Sequence, residues 1–326
     1  MNDIDTRDLF GNKVITKQPI DRDVLTKQIY SVVKKLSLQD FVLLMTNEFE
    51  AVMQYGDLSN GEKSCQKTSL LFNPHRLDTK TKSSKYSIFS AMQNESFVNG
   101  LARAVLFKKE KVKELLYQVI QLGVNGVQYV NEFPPHIARD LCVKNGIQAD
   151  SKVLDPCAGW GGRMIGISVV SNHYDCFEPE TRTFSGLENL LSFIKTMNNS
   201  FCAKIHNIPF EEALLEDNSY DFAITSPPYY DTEEYSEENT NSLNRYNTFE
   251  KWRDLFYLPL IEKTMKALKP NKIFILNIGS RVYPLNDILI RNFKEKHEIR
   301  KMDKSLSGSA GLGKSGEGET FYAIKK

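Results

Sequence analysis

The spacing of apolar positions changes character part-way along the chain. Between Asp23 and about Tyr55, Leu25, Ile29, Val32, Val33, Leu36, Phe41, Leu44, Met45 and Phe49 recur near helical spacing, which predicts two helices broken near Ser37. Residues 57–87 are rich in Ser, Thr, Lys, Asn and Gly and read as loops or short strands, with a turn at Phe72-Asn73-Pro74-His75-Arg76. Helical spacing returns from Glu95 to Leu122, with Val98, Leu101, Val105, Val112, Leu115, Leu116, Val119 and Ile120 on one face, and Gly123 to Gly126 ends it.

After that the pattern becomes short apolar runs separated by amphipathic stretches. Strands are expected at 153–155, 174–177, 204–206, 220–225, 272–277, 297–301 and 320–324. Helices are expected at 161–170, 181–197, 249–268 (closed by Lys269-Pro270-Asn271) and 285–296. Strands alternating with helices make a mostly parallel sheet covered on both faces. The expected organisation is therefore a mainly helical N-terminal domain, residues 1–127, and an α/β domain, residues 128–326.

Bulk properties narrow the setting. No apolar run reaches the ~18–20 residues of a membrane span, and the N-terminus MNDIDTRDLFGNK is too polar for a signal peptide. The five cysteines are scattered and form no C-x-x-C pair, so neither a disulfide framework nor a zinc site is expected. A cytoplasmic protein without a metal or a membrane partner is the natural reading. Charge is uneven: residues 63–113 carry 11 Lys/Arg against 3 Asp/Glu, and residues 131–230 carry 7 against 13. Basic flanks around an acidic centre suit a polyanion-binding surface beside a pocket for a cationic cofactor, although a solvated helix face explains such a run about as often.

Chemistry concentrates at the strand ends. In Thr225-Ser226-Pro227-Pro228-Tyr229-Tyr230, two prolines fix φ and remove two backbone donors, which leaves local carbonyls to accept bonds from another molecule. A small polar residue before them and an aromatic pair after them make a compact acceptor site beside a stacking surface. Upstream, Asp155-Pro156-Cys157-Ala158-Gly159-Trp160-Gly161-Gly162-Arg163 lies between the first strand and its helix, where open α/β sheets bind ligands. This loop is neither G-x-G-x-x-G nor a P-loop. Glu178, at the next strand end, is placed to accept both hydroxyl protons of a ribose diol. The third strand leads into Asn207-Ile208-Pro209-Phe210-Glu211-Glu212, a candidate adenine contact. Singly, each carboxylate reads as a helix cap or surface charge; their order and strand-end placement favour a ligand.

VLDPCAGWGGR (153–163), FEPE (177–180) and YDFAITSPPYYD (220–231) resemble motifs I, II and IV of the S-adenosylmethionine-dependent amino-methyltransferases that act on DNA bases. EFPPHIA (132–138) resembles that family's motif X, and the likeness covers about residues 130–326. It implies a Rossmann-like methyltransferase fold with a mostly parallel seven-stranded sheet and helices on both faces. It also implies S-adenosylmethionine held by Phe133, Pro134, His136, Asp155, Pro156, Cys157, Ala158, Gly159, Gly161, Glu178, Pro179, Glu211 and Thr225. Ser226, Pro227, Pro228 and Tyr229 become the catalytic set. The Ser226 side chain and the Pro227 carbonyl would accept the amino hydrogens, while Tyr229 stacks on a base flipped from the duplex or taken from a single strand. Ser-Pro-Pro-Tyr tilts the resemblance toward cytosine N4 over adenine N6. Methylation at cytosine carbon 5 would need a cysteine at this turn, and Cys157 reads as a packing residue.

Asp231 to Tyr246 is expected to cover the target pocket, with Tyr230 and Tyr235 as base or sugar contacts and with Tyr246 and Trp252 as packing residues. Ser305 to Gly318 is flexible by composition and reads as a clamp or a strand connection. Fewer than 100 residues follow Tyr229, so target recognition is expected from the N-terminal 125, with Lys80, Lys82 and Lys85 on DNA phosphates. A restriction endonuclease or specificity partner belongs to this reading. Its alternatives are the same chemistry on RNA or a protein amide, and an inactive nucleic-acid-binding subunit of the same fold.

Overall fold

The computed structural model describes residues 6–7, 13–14, 21–82, 84–108, 130–279, 282–302 and 319–326. The expected helical positions from Val112 to Ile120, the glycines at 123 and 126, the boundary at 127/128 and the Ser305–Gly318 segment lie outside them. By contact the chain forms two units, Met1–Glu48 with Pro74–Asn131, and Phe49–Asn73 with Glu132–Lys326. It passes between them three times, where the sequence pattern predicts a single boundary.

In the first unit the expected break at Ser37 separates helices Arg22–Val33 and Leu38–Leu43. The break is a capping box: Asp40 N donates to Ser37 Oγ at 3.1 Å, and Ser37 N donates to Asp40 Oδ2 at 3.0 Å. The Arg22–Val33 helix packs on helix Glu95–Lys108, and Tyr30 OH donates to the Gln93 carbonyl at 3.2 Å.

The second unit is built on a seven-stranded sheet: β1 Lys152–Asp155, β2 His173–Phe177, β3 Cys202–His206, β4 Tyr220–Thr225, β5 Leu268–Gly279, β6 Glu298–Lys301 and β7 Glu319–Lys325. The order across the sheet is β3-β2-β1-β4-β5-β7-β6. The first five strands are parallel and β7 is antiparallel to both neighbours. This is the expected α/β fold, and β3-β2-β1-β4-β5 is the Rossmann order with its switch point between β1 and β4.

Alternate strand residues enter two cores. Val153, Cys176, Phe222, Ile224 and Ile275 pack with helices Pro135–Lys144, Gly162–Ser168 and Thr181–Met197. Leu154, Phe177, Ala223, Phe274 and Leu276 pack with Leu258–Ala267 and Leu285–Phe293. A period of two that is apolar on both sides marks a sheet covered on both faces. Between β3 and β4 the crossover carries only a 3₁₀ turn, Phe210–Glu212.

Residues 49–73, which read from sequence as the end of a helix followed by loops, hold helices Glu48–Ser59 and Thr68–Phe72. Tyr55 OH lies 3.0 Å from Ser168 Oγ, and buried Arg139 donates through Nη1 to the Leu58 and Glu62 carbonyls at 2.7 Å each. A Cβ on Gly186 would sit 2.1 Å from Asn73 Oδ1, so that glycine admits the segment to the Thr181–Met197 helix. Among the described residues no helix is long and apolar enough to cross a membrane. All five cysteines are unpaired.

Candidate active site

The glycine loop after β1 is organised around Asp155, which is fully buried. Its Oδ2 accepts from Arg163 Nε at 2.7 Å and Tyr174 OH at 2.6 Å. Its Oδ1 accepts from Thr225 Oγ1 at 2.8 Å, Cys157 N at 3.2 Å and Arg163 Nη2 at 3.3 Å. Arg163 also donates to the Cys157 carbonyl. Asp155 thus ties β1, β2, β4 and the first turn of the Gly162–Ser168 helix together. Both its oxygens and the hydroxyl of Thr225, which also accepts from Cys157 N at 3.1 Å, are engaged by protein. These two residues, expected to touch the cofactor, frame the loop that would hold it.

The loop is open at Gly159, whereas Gly161, expected to touch the cofactor, faces the Thr181–Met197 helix, where a Cβ would stand 2.4 Å from Leu190 Cδ2. Gly159 and Gly161 have φ of +56° and +96°, a region that L side chains resist. A Cβ on Gly159 would meet only the Cys157 carbonyl, at 4.0 Å. Glu178 accepts from Gly159 N at 3.1 Å and Glu180 N at 3.0 Å, which couples the β2 end to the β1 loop. Burial raises its carboxyl to about 8, against the two backbone donors that lower it. Ala158 N donates to Phe177 O at 2.9 Å, and the Pro179 carbonyl accepts from Asn207 Nδ2 at 3.2 Å.

At two of the expected cofactor residues a buried polar atom has no hydrogen-bond partner among the described residues. Glu211 Oε2 has no hydrogen bond, while Oε1 accepts from Tyr246 OH at 2.9 Å. Lys263 fixes that turn by donating to the carbonyls of Phe210, Glu211 and Ala213. His136, 5% exposed, has an unpartnered Nδ1. Burial lowers its pKa and so favours the neutral ring, in which Nδ1 donates or accepts according to the tautomer. Phe133 packs under Arg163, whose Cζ is 5.2 Å from the ring centre, and Pro134 caps the Pro135–Lys144 helix. Burial pushes the Cys157 thiol well up, and the carboxylates of Asp155, Glu178 and Glu211 act the same way. The thiol stays protonated and is a poor nucleophile.

The acceptor turn leaves the end of β4 beside this loop, across the switch point. Pro227 is buried, and no donor among the described residues takes its carbonyl. Ser226 Oγ lies 3.0 Å from Tyr229 OH. Asn277, on β5 and 3% exposed, donates through Nδ2 to both oxygens at 3.3 Å. The Tyr229 ring lies against Gly279, where a Cβ would stand 3.1 Å from Cε2. Tyr230, expected to touch a base, turns away instead. At φ +62° its ring packs on Phe249, Trp252 and Tyr283 at centroid distances of 5.7, 5.8 and 5.2 Å.

Residues 231–246 run from the Pro-Pro turn back over the glycine loop rather than over the turn alone. Tyr283 OH donates to Asp231 at 2.6 Å. Tyr235 lies 6.0 Å from Trp160, and burial together with Glu233 beside it keeps its phenol protonated. Glu238 accepts from Thr181 N, and Thr240 Oγ1 donates to the Pro179 carbonyl at 3.0 Å. Tyr246, bound to Glu211, and Trp252, fully buried, are packing residues as expected. Lys80, Lys82 and Lys85 belong to the other unit, with Lys80 half-buried and the other two exposed.

No protein-family model and no curated protein matches this sequence. Among solved structures, the chain is similar to a putative class I S-adenosylmethionine-dependent methyltransferase from Listeria monocytogenes (15% identity, 93% of this chain and 88% of that one, TM-score 0.43). It is also similar to a putative methyltransferase from Streptococcus mutans in complex with SAH (12%, 60% and 99%, TM-score 0.42). A third is a 16S rRNA N2 G1207 methyltransferase from T. thermophilus in complex with AdoMet and guanosine (14%, 60% and 44%, TM-score 0.40). At these identities and TM-scores the likenesses decide nothing about activity.

Proposed function

We propose that the protein transfers a methyl group from S-adenosylmethionine to an exocyclic amino group of a DNA base, cytosine N4 favoured over adenine N6. One observation carries the reading. A turn of acceptors with an aromatic ring, Ser226 to Tyr229, adjoins an open glycine loop and a strand-end glutamate across the β1/β4 switch point. The residues fit the cofactor. Gly159 leaves its Cβ side uncrowded, Glu178 offers a carboxyl group to a diol, and Glu211 Oε2 is a buried acceptor with no donor among the described residues.

S-adenosylmethionine supplies an electrophilic methyl carbon: the amino nitrogen's lone pair forms the new N–C bond while the C–S pair leaves with sulfur. The nitrogen is a poor nucleophile because that lone pair is delocalised into the ring. Ser226 Oγ and the Pro227 carbonyl accept its hydrogens and localise the pair. The Tyr229 ring, seated on Gly279, supplies a surface that holds the base in line. The extra proton on nitrogen then passes to water. Nothing here calls for a covalent enzyme intermediate, in keeping with the protonated Cys157. DNA phosphates are assigned to Lys80, Lys82 and Lys85, and a restriction endonuclease or specificity subunit is the companion this reading implies.

Incubation with labelled S-adenosylmethionine and separate DNA, RNA and protein acceptors, followed by nucleoside analysis, tests the assignment. Label is expected in N4-methylcytosine, and Ser226→Ala and Tyr229→Ala should abolish transfer with cofactor affinity nearly intact. Label in RNA or protein alone would reassign the acceptor. Label in no acceptor, with no cofactor binding, would leave a nucleic-acid-binding subunit.

A further inference from the structure

β5 contributes more than a wall to the acceptor turn. Phe274, Ile275, Leu276 and Ile278 are fully buried, and Asn277 interrupts them at 3% exposure. A buried amide in a strand is disfavoured unless its hydrogen bonds are used. Here the two Nδ2 hydrogens are used on the turn, through donation to Ser226 Oγ and to Tyr229 OH. Two residues on, and therefore on the same face of the strand, Gly279 leaves room for the Tyr229 ring, whose Cε2 and Cδ2 would be 3.1 and 3.2 Å from a Cβ there. β5 thus holds Tyr229 at both its hydroxyl and its ring face.

We propose that Asn277 is a positioning residue for methyl transfer, acting through Ser226 and Tyr229. This rests on the assignment of the Ser226–Tyr229 turn as the acceptor clamp. A serine hydroxyl rotates to suit its surroundings. Donation from Asn277, with the proton shared between Ser226 and Tyr229 at 3.0 Å, fixes which way the Ser226 lone pairs face. With one Ser226 lone pair taken by the Asn277 amide and the serine proton turned toward the Tyr229 oxygen, the second lone pair of Ser226 Oγ is left for an amino hydrogen. The same amide tethers the Tyr229 hydroxyl, so the ring keeps one plane instead of swinging about its side-chain torsions. Such alignment matters because small misplacements at the reacting centre cost rates on the order of 10²-fold.

The test uses the full-length chain and labelled S-adenosylmethionine, with acceptor DNA in single-turnover and steady-state transfer and with S-adenosylhomocysteine affinity by calorimetry. Asn277→Leu, close in volume and without hydrogen bonds, is expected to lower kcat by ~10–100-fold. KM for S-adenosylmethionine and affinity for its product should stay within about twofold. Tyr229→Phe keeps the ring and should slow the wild type by ~3–10-fold, yet change the Asn277→Leu protein by less than about twofold, because both remove one network. Thermal unfolding reports whether Asn277→Leu folds, and Asn277→Ala takes its place in the same measurements if it does not. An unchanged kcat, an equal loss in cofactor affinity, or strictly additive effects with Tyr229→Phe would overturn the role. If the wild type methylates no acceptor, the clamp assignment fails and this role with it. If the wild type methylates DNA and the Asn277 variants match it, this role alone fails.

Discussion

Asp155→Asn separates a framing residue from a ligand contact. The carboxylate is fully buried and meets Arg163, whose side chain is 5% exposed, together with Tyr174, Thr225 and the Cys157 amide. Asparagine keeps the shape but removes the charge, and it turns an NH₂ group toward donors. Removing one partner of a buried ion pair costs about 3–5 kcal/mol, because the other charge is left without compensation. For a unit of this size each kcal/mol lowers Tm by about 2–4 °C, so a fall of roughly 6–20 °C is expected. Circular dichroism melts of the free protein measure it, with urea titration as a second route. Asp155→Leu combined with Arg163→Met should melt above either single variant, since no charge is then stranded. A free-protein Tm within ~2 °C of wild type, alongside a large loss of S-adenosylhomocysteine affinity, would refute the framing role and make Asp155 a direct cofactor contact.

Glu178 should make cofactor affinity depend on pH. Its carboxyl is raised to about 8 by burial, and the ionised form is the one that accepts both diol hydroxyls, so affinity is expected to climb through that value and to go flat in Glu178→Gln. A flat wild-type titration would remove Glu178 from the ribose. The same raised pKa stabilises the fold fully below the ordinary 4.5, and that contribution is lost as pH rises through about 8. Gly186→Ala, which drives a Cβ to 2.1 Å from Asn73 Oδ1, should cost ~1–3 kcal/mol in denaturant unfolding. An unchanged midpoint would mean that residues 72–73 yield freely. Reversing the charges of Lys80, Lys82 and Lys85 should weaken DNA binding at every sequence and flatten the logarithmic salt slope by ~0.9 for each phosphate no longer neutralised; an unaltered slope would place recognition elsewhere.

The sheet was legible because its apolar runs are short, bounded and regularly separated by helical patterns, and the site because its chemistry sits in contiguous strand-end loops. Other features depend on partners distant in sequence. The sequence pattern predicts no helix at 135–144, yet Pro135 opens one, a position where its missing N–H costs nothing. Pro270 reads as the end of a helix but lies within β5, where a register shift and Asn271 at φ +64° accommodate it. Residues 49–73 look like a helix end and loops because their helices are short and steadied by Arg139, Ser168 and Gly186, more than 70 residues downstream. Asn277 did leave a trace, as a lone amide in an otherwise apolar strand, but its two partners lie 51 and 48 residues before it.

Ser69 Oγ donates to Glu132 Oε2 at 2.6 Å, so the chain leaves the sheet unit and re-enters it at nearly the same spot. Residues 74–131 belong to a unit that also contains residues 1–48, and the chain makes a third crossing at 48/49. Loop-closure entropy varies only weakly with length, by about 0.6 kcal/mol per doubling. Added length between residues 74 and 131 should therefore cost the sheet little in closure entropy, provided the Glu95–Lys108 helix keeps its packing on Arg22–Val33. An insertion placed there leaves the strand-end loops of the site with their own sequence neighbours, because those loops all lie between residues 155 and 279.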